Sequence, residues 1–367
     1  MLKIHWFLPT GGDSRNIVAT HHADAREPSH AYLADIARAA DQLGFAAVLT
    51  PCGTGCEDSW ITTASLIPLT ERLNFLVAMR PGLLSPTLAA QMASTYQRMS
   101  GGRLLVNIVT GAEPTELARF GDFADKDTRY ERTGEFIDIM KKAWAAVPAD
   151  VTGTHFTVQG ATTRCTPTPA PEIYFGGASA AAEVVAARFA DVYLTWGETP
   201  EMVGERLERM RQLAATYDRT LRFGIRFHTI ARSTSNEAWT EAQRLVDAIP
   251  DDAKLAAQRD FAATQSEGQR RMAELAARSE LEIYPNVWTG IGQVRGGAGT
   301  ALVGSHEEVA DRIEEYADLG IDEFILSGYP HLEEAWQIGE GVMPLLVQRG
   351  RLENRDLTRS TNVFHFR

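Results

Sequence analysis

The chain has 367 residues, with 36 Lys and Arg against 48 Asp and Glu, for a formal net charge of −12. That balance argues against a nucleic-acid partner, which would call for a basic face, and no apolar run approaches the roughly 18 residues of a membrane-spanning helix. Hydrophobic residues at 44% and charged residues at 23% describe an ordinary globular core and surface, and three cysteines are too few for a disulfide framework. The opening segment "MLKIHWFLPT" has neither the basic start nor the long apolar stretch of a secretion signal, so a cytoplasmic protein is expected.

In chain order, apolar runs predict strands at 3–9, 46–50, 74–79, 104–110, 172–177, 191–197, 222–230 and 322–328. Continuous apolar runs of this length suit parallel strands covered on both faces. Helical patterns alternate with them. Leu33, Ile36, Ala40 and Leu43 share a helical face, and Gly44 follows as a stop. A hairpin is expected at 151–160. Residues 250–304 form a long insertion, polar at first, of the kind that makes mobile lids or oligomer contacts. Ser305 and Glu308 spell a capping box for a helix carrying Val309, Ile313 and Tyr316 on one face. Residues 351–367 read as a C-terminal tail. About eight β/α units predict an α/β fold, a (β/α)8 TIM barrel with insertions forming one domain over 1–350. The rival, a doubly wound open sheet, lacks its G-x-G-x-x-G turn, since the first strand leads into "PTGGDSR".

Barrel enzymes place their chemistry at the C-terminal ends of the strands. On the seventh strand Arg226 and His228 share one face with Gly224, while Ile225 and Phe227 take the other. An arginine in a barrel mouth needs an anion, either a ligand or a structural carboxylate. "FGGAS" at 175–179 precedes a helix. It is either a phosphate-binding turn or an ordinary β-to-α turn with Ser179 as N-cap. "VRGGAGT" at 294–300 is either a loop that closes on an anion through Arg295 or a plain surface loop. After the second strand, "PCGTGCEDSW" places Cys52 and Cys56 four apart. There is no second ligand pair for a metal, and the flanking Glu57 and Asp58 disfavour a thiolate.

The motifs "CEDSW", "TERLNFLVAMRP", "SPTLAAQMAST", "NIVTG", "RYE", "YFGGAS", "VYLTWGE", "FGIRFH", "VRGGAGTALVG" and "SGYPHLEEA", in that order, span nearly the whole chain. Together they resemble the two-component FMNH2-dependent alkanesulfonate monooxygenases of the bacterial luciferase-like superfamily. The resemblance implies a (β/α)8 barrel forming a homo-oligomer, tetramer or dimer. It implies FMNH2 delivered by a separate NAD(P)H-dependent flavin reductase, with O2 as co-substrate. The family's reaction cleaves the C–S bond of an organosulfonate to aldehyde and sulfite via a flavin peroxide. By matching position, Arg226, His228, Arg295, Tyr329, Trp196 and Cys56 are implied as the sulfonate and oxygenation site. Asn107, Thr110, Tyr130, Gly177, Ala178 and Ser179 are implied as flavin contacts. No metal is implied. Three positions depart from the family pattern: Gly11 where the family has His, Thr54 where it has Arg, and Cys52 where it has Thr. These leave open a sulfone or other small substrate, a deazaflavin cofactor, or a non-catalytic flavin-binding paralogue.

Overall fold

Eight parallel strands close into a barrel in this computed structural model, which describes residues 1–19 and 24–353. They are β1 (Lys3–Phe7), β2 (Ala47–Thr50), β3 (Asn74–Met79), β4 (Leu104–Ile108), β5 (Glu172–Gly176), β6 (Val192–Trp196), β7 (Arg222–Arg232) and β8 (Glu323–Ser327). Neighbours pair in chain order. Closure comes from β1 on β8, with Lys3 opposite Glu323 and Trp6 opposite Leu326. The (β/α)8 expectation holds because every apolar run is covered twice. Outward residues such as Val48, Val77, Ile225 and Phe227 pack under the helices. Inward residues Phe7, Leu49, Leu76, Tyr174, Val192 and Ile325 fill the barrel.

Local signals act where the sequence places them. Helix His30–Leu43 ends at Gly44, which adopts φ 86°, a left-handed cap that costs glycine little. Ser305 Oγ accepts from the Glu308 amide at 3.1 Å, and Glu308 Oε2 accepts from the Ser305 amide at 2.7 Å, opening helix His306–Asp318. The hairpin forms from Ala149–Thr152 and Thr157–Ala161.

The floor of the barrel is ionic. Glu323, 1% exposed, accepts from Lys3 Nζ (3.1 Å), Tyr174 Oη (2.7 Å) and Arg222 Nη1 (2.8 Å) and meets His5 Nε2 at 3.0 Å. A carboxylate buried this deeply is tolerated only with such a full set of partners.

Three features add to the sequence expectation. First, β7 outlasts the barrel. Gly224–His228 pairs with β8, and His228–Arg232 continues against the parallel strand Ala301–Ser305. This is why Ile230 leaves the alternation: it packs in a separate cluster with Trp288, Ile291 and Tyr329. Second, the 250–304 insertion is largely regular structure. Helices Asp251–Ala263 and Glu267–Ala276 lead to strands Glu282–Tyr284 and Val287–Trp288, which pair back toward Ala301–Ser305. Third, the start of the expected tail is tied down. Leu352 bridges to Leu2, and Arg351 reaches Glu314 and Asp318. The rest of that tail, 354–367, lies outside the described residues. No helix among the described residues is long and apolar enough to cross a membrane.

Candidate active site

A cavity of about 340 Å3 opens at the C-terminal ends of the strands. Its walls come from Phe7, Leu49, Asn107, Thr110, Trp196 and Arg226 on the barrel, and from 265–268 and Arg271 in the insertion. One end is basic. Lys126, Arg129 and Tyr130 arrive on helix Lys126–Ala143 and face the turn Gly177-Ala178-Ser179. That turn needs its glycine: Gly177 has φ 153°, and a Cβ there would stand 2.6 Å from that of Ala182. Tyr193 Oη donates to the Gly177 carbonyl at 2.7 Å and fixes the loop. Ser179 caps helix Ala180–Phe189, its side chain accepting from the Ala182 amide. The cap does not consume the amides of Ala180 and Ala181, which remain at a helix N-terminus beside the cavity.

The charge at this end does not balance. Glu198, 1% exposed, serves two guanidiniums, Arg206 at 2.5 Å and Arg271 at 3.2 Å. Among the described residues Arg129 bonds to uncharged acceptors, the Ala124 carbonyl and Gln265 Oε1. Glu267 is paired with Arg270. Positive charge therefore exceeds negative around a recess lined by backbone donors, the arrangement that holds a phosphate.

At the other side, across Phe7, lie two guanidiniums, neither with a carboxylate partner among the described residues. The Arg226 guanidinium sits 4.4 Å from the Phe7 ring centre. That of Arg295 sits 5.8 Å from the same ring and 5.9 Å from Tyr329. His228 stacks on Tyr329 with centroids 5.5 Å apart and planes 11° from parallel. Its Nδ1 meets Ser327 Oγ at 3.0 Å. Arg226 Nε, His228 Nε2 and Tyr329 Oη are buried with no hydrogen-bond partner among the described residues. Burial and then the Arg295 charge pull the Arg226 pKa down to about 9, so it stays cationic at neutral pH at a cost that an anion would relieve. The same burial, with Arg295 and Arg226 nearby, holds His228 well below the usual imidazole range and hence neutral.

The loop after β2 completes this wall. Cys56 Sγ lies against Gly11, 3.5 Å from where a Cβ of residue 11 would stand; that Cβ would also meet the Gly55 carbonyl at 3.0 Å. The glycine at 11 thus opens no extra room, because the β2 loop has moved in over it. Both cysteines are free thiols. Burial pushes Cys52 up to about 11 and raises Cys56 as well, so neither is a thiolate at neutral pH. Thr54 is exposed and is held by Glu116 and Arg119. Glu116 also binds the buried Arg80 at 2.8 Å.

Asn107, Thr110, Tyr130, Gly177, Ala178, Ser179, Trp196 and Arg226 thus line one cavity, and His228, Arg295, Tyr329 and Cys56 gather at its flank. Several neighbours escaped the sequence reading. Lys126 opens a helix whose dipole disfavours a cation there, and that mismatch was a readable signal. His331 lies within the quoted "SGYPHLEEA". Its Nδ1 meets Asp13 Oδ1 at 2.8 Å, and its Nε2 is buried and unpartnered. Arg206, Arg271 and Glu198 carried no local signal. No cluster of metal-ligating side chains occurs among the described residues.

A basic recess at the turn 177–179 and the Arg226–Arg295 pair thus meet at one cavity on the strand ends of a (β/α)8 barrel. The chain belongs to the luciferase-like monooxygenase family, which it matches over residues 2–323. It is accordingly a flavin-dependent oxidoreductase of the monooxygenase type. Among solved structures it is similar to riboflavin lyase (RcaE), with TM-score 0.78 and 19% identity over 96% of this chain and 93% of that one. It is also similar to EDTA monooxygenase (EmoA) from Chelativorans sp. BNC1, with TM-score 0.79 and 19% identity over 98% and 96%. A third is DmoA from Hyphomicrobium sulfonivorans, with TM-score 0.79 and 18% identity over 96% and 89%. At these identities the likeness is one of fold.

Proposed function

We propose that the protein is the oxygenase of a two-component system. It uses FMNH2 and O2 to cleave the C–S bond of an alkanesulfonate or related organosulfonate, releasing an aldehyde and sulfite. The observation that carries this is the pair Arg226 and Arg295. Neither guanidinium has a carboxylate partner among the described residues, and both sit over Phe7 beside the cavity. A sulfonate spreads one charge over three oxygens, and a guanidinium fork with Tyr and His donors matches it.

The cavity fits reduced FMN. Lys126, Arg129, Tyr130, Ser179 and the amides after Gly177 would hold its phosphate. Asn107 and Thr110, whose Oγ1 is buried and unpartnered, would face the rest of the molecule. When bound, reduced FMN supplies the two electrons with which O2 is split, one atom going to carbon and the other to water. The residues do the remainder. Arg226 and Arg295 bind and orient the sulfonate. Tyr329 Oη donates to it. Neutral His228, stacked on Tyr329, would take a proton at Nε2. Phe7 and Trp196 exclude water, and Cys56 serves as a neutral polar wall rather than a nucleophile. A cytoplasmic homo-oligomer, dimer or tetramer, supplied by an NAD(P)H-dependent flavin reductase, completes the proposal.

With FMN present, octanesulfonate at one hundred times its Kd is expected to stabilise the fold by about 2.7 kcal/mol, read as a rise in Tm. An uncharged sulfone of equal length should leave Tm unchanged. Equal stabilisation by the sulfone would favour sulfone oxygenation instead.

A further inference from the structure

Helix Glu267–Ala276 touches both halves of the site. Its N-cap Ser266 and first-turn residues Glu267 and Gly268, with Arg271 one turn on, line the cavity. Gly268 is seated on the Trp196 indole, where a Cβ would stand 3.0 Å from the ring. Between these residues, on another flank of the helix, lies Gln269. It is 5% exposed, and its side chain turns away from the cavity residues toward the glycine-rich loop. Its Oε1 accepts from the Gly297 amide at 2.7 Å, and its Nε2 is buried with no partner among the described residues.

Gly297 follows Arg295 by two residues and adopts φ 89°. The Arg295 amide is anchored on the Ile291 carbonyl at 3.0 Å, and Gly292 and Gly299 pair across the loop at 2.8 Å. The loop carrying Arg295 is therefore pinned at its base by its own backbone and at its crown by Gln269. Any shift of the helix's first turn moves the crown.

We propose that Gln269 is a positioning residue that links occupancy of the cofactor cavity to the placement of Arg295. The helix turn that contacts whatever fills the cavity also holds, through one buried hydrogen bond, the loop that carries the anion-binding arginine. The inference rests on the flavin part of the proposed function and not on the identity of the substrate. Gln269 contributes no group to the reacting atoms; it sets where Arg295 stands.

The test is hydrogen exchange in the peptide spanning 294–300, with and without oxidised FMN, in wild type, Q269M and Q269E. FMN should slow exchange in wild type by between about twofold and tenfold, the range one such hydrogen bond supports. In Q269M, which keeps the length and loses the acceptor, the FMN-dependent slowing should vanish while FMN affinity stays within about twofold. Q269E, which keeps an acceptor oxygen at the same reach, should restore it. FMN-dependent slowing that persists in Q269M, its loss in Q269E, or its absence in wild type that binds FMN overturns the inference. FMN binding with intact exchange behaviour but no sulfite from any sulfonate would overturn the substrate reading alone.

Discussion

Arg226→Ala is expected to lower kcat/KM for an alkanesulfonate by about 10²- to 10³-fold, with FMN affinity within about twofold of wild type. Arg226 lines the cavity over Phe7, whereas the phosphate recess is built by Lys126, Arg129 and the turn at 177–179, so the flavin phosphate contacts survive its loss. The stability effect should have the opposite sign. In the ligand-free protein Arg226 is a buried cation with Arg295 nearby and no carboxylate, so shortening it removes a repulsion. Tm without ligand should hold or rise even as turnover collapses. Steady-state kinetics, FMN titration and a thermal melt on the same preparation check all three. Near-normal turnover would remove Arg226 from the site.

Glu323→Gln is expected to cost about 3 kcal/mol of stability, the usual penalty for breaking a buried ionic network from one side. Burial alone would raise the Glu323 pKa. The His5 hydrogen bond and charge, with Lys3 and Tyr174, outweigh it and lower the pKa to about 2 from the ordinary 4.5. A carboxylate lowered on folding contributes its stability fully above the unfolded value. That contribution is lost as the pH falls from about 4.5 toward about 2. Wild type should therefore lose Tm steeply across that window. The Gln variant, already less stable at pH 7, should lose less, so the two curves converge in acid. Parallel curves would show that Glu323 is not the group whose protonation weakens the barrel floor.

The barrel was legible in the sequence because most of its strands are largely apolar runs, and such runs leave few alternatives once helices alternate with them. The arginine–histidine pair on β7 was legible for the same reason, since two polar side chains at i and i+2 stand out on a buried strand. What stayed hidden was whatever depends on distant segments meeting. Arg271 reaches the buried Glu198–Arg206 pair from a helix more than sixty residues away in the chain. Asp13 and His331 meet across the barrel seam between the first and last strands. Gln269 is one polar residue in a polar helix until its hydrogen bond to Gly297 is seen. Gly11 departs from the family's His, and only the structure shows the Gly55 carbonyl 3.0 Å from where its Cβ would stand.

Sulfite release decides whether the protein is a sulfonate oxygenase. The protein would be mixed with FMN, NADH, O2 and a general flavin reductase, and offered sulfonates of different chain length and polarity. Sulfite in equal amount to aldehyde is expected for at least one of them, dependent on the reductase and on O2, and lost in Arg226→Ala. Reduced FMN that binds and is reoxidised while no sulfonate in the panel yields sulfite would contradict that assignment.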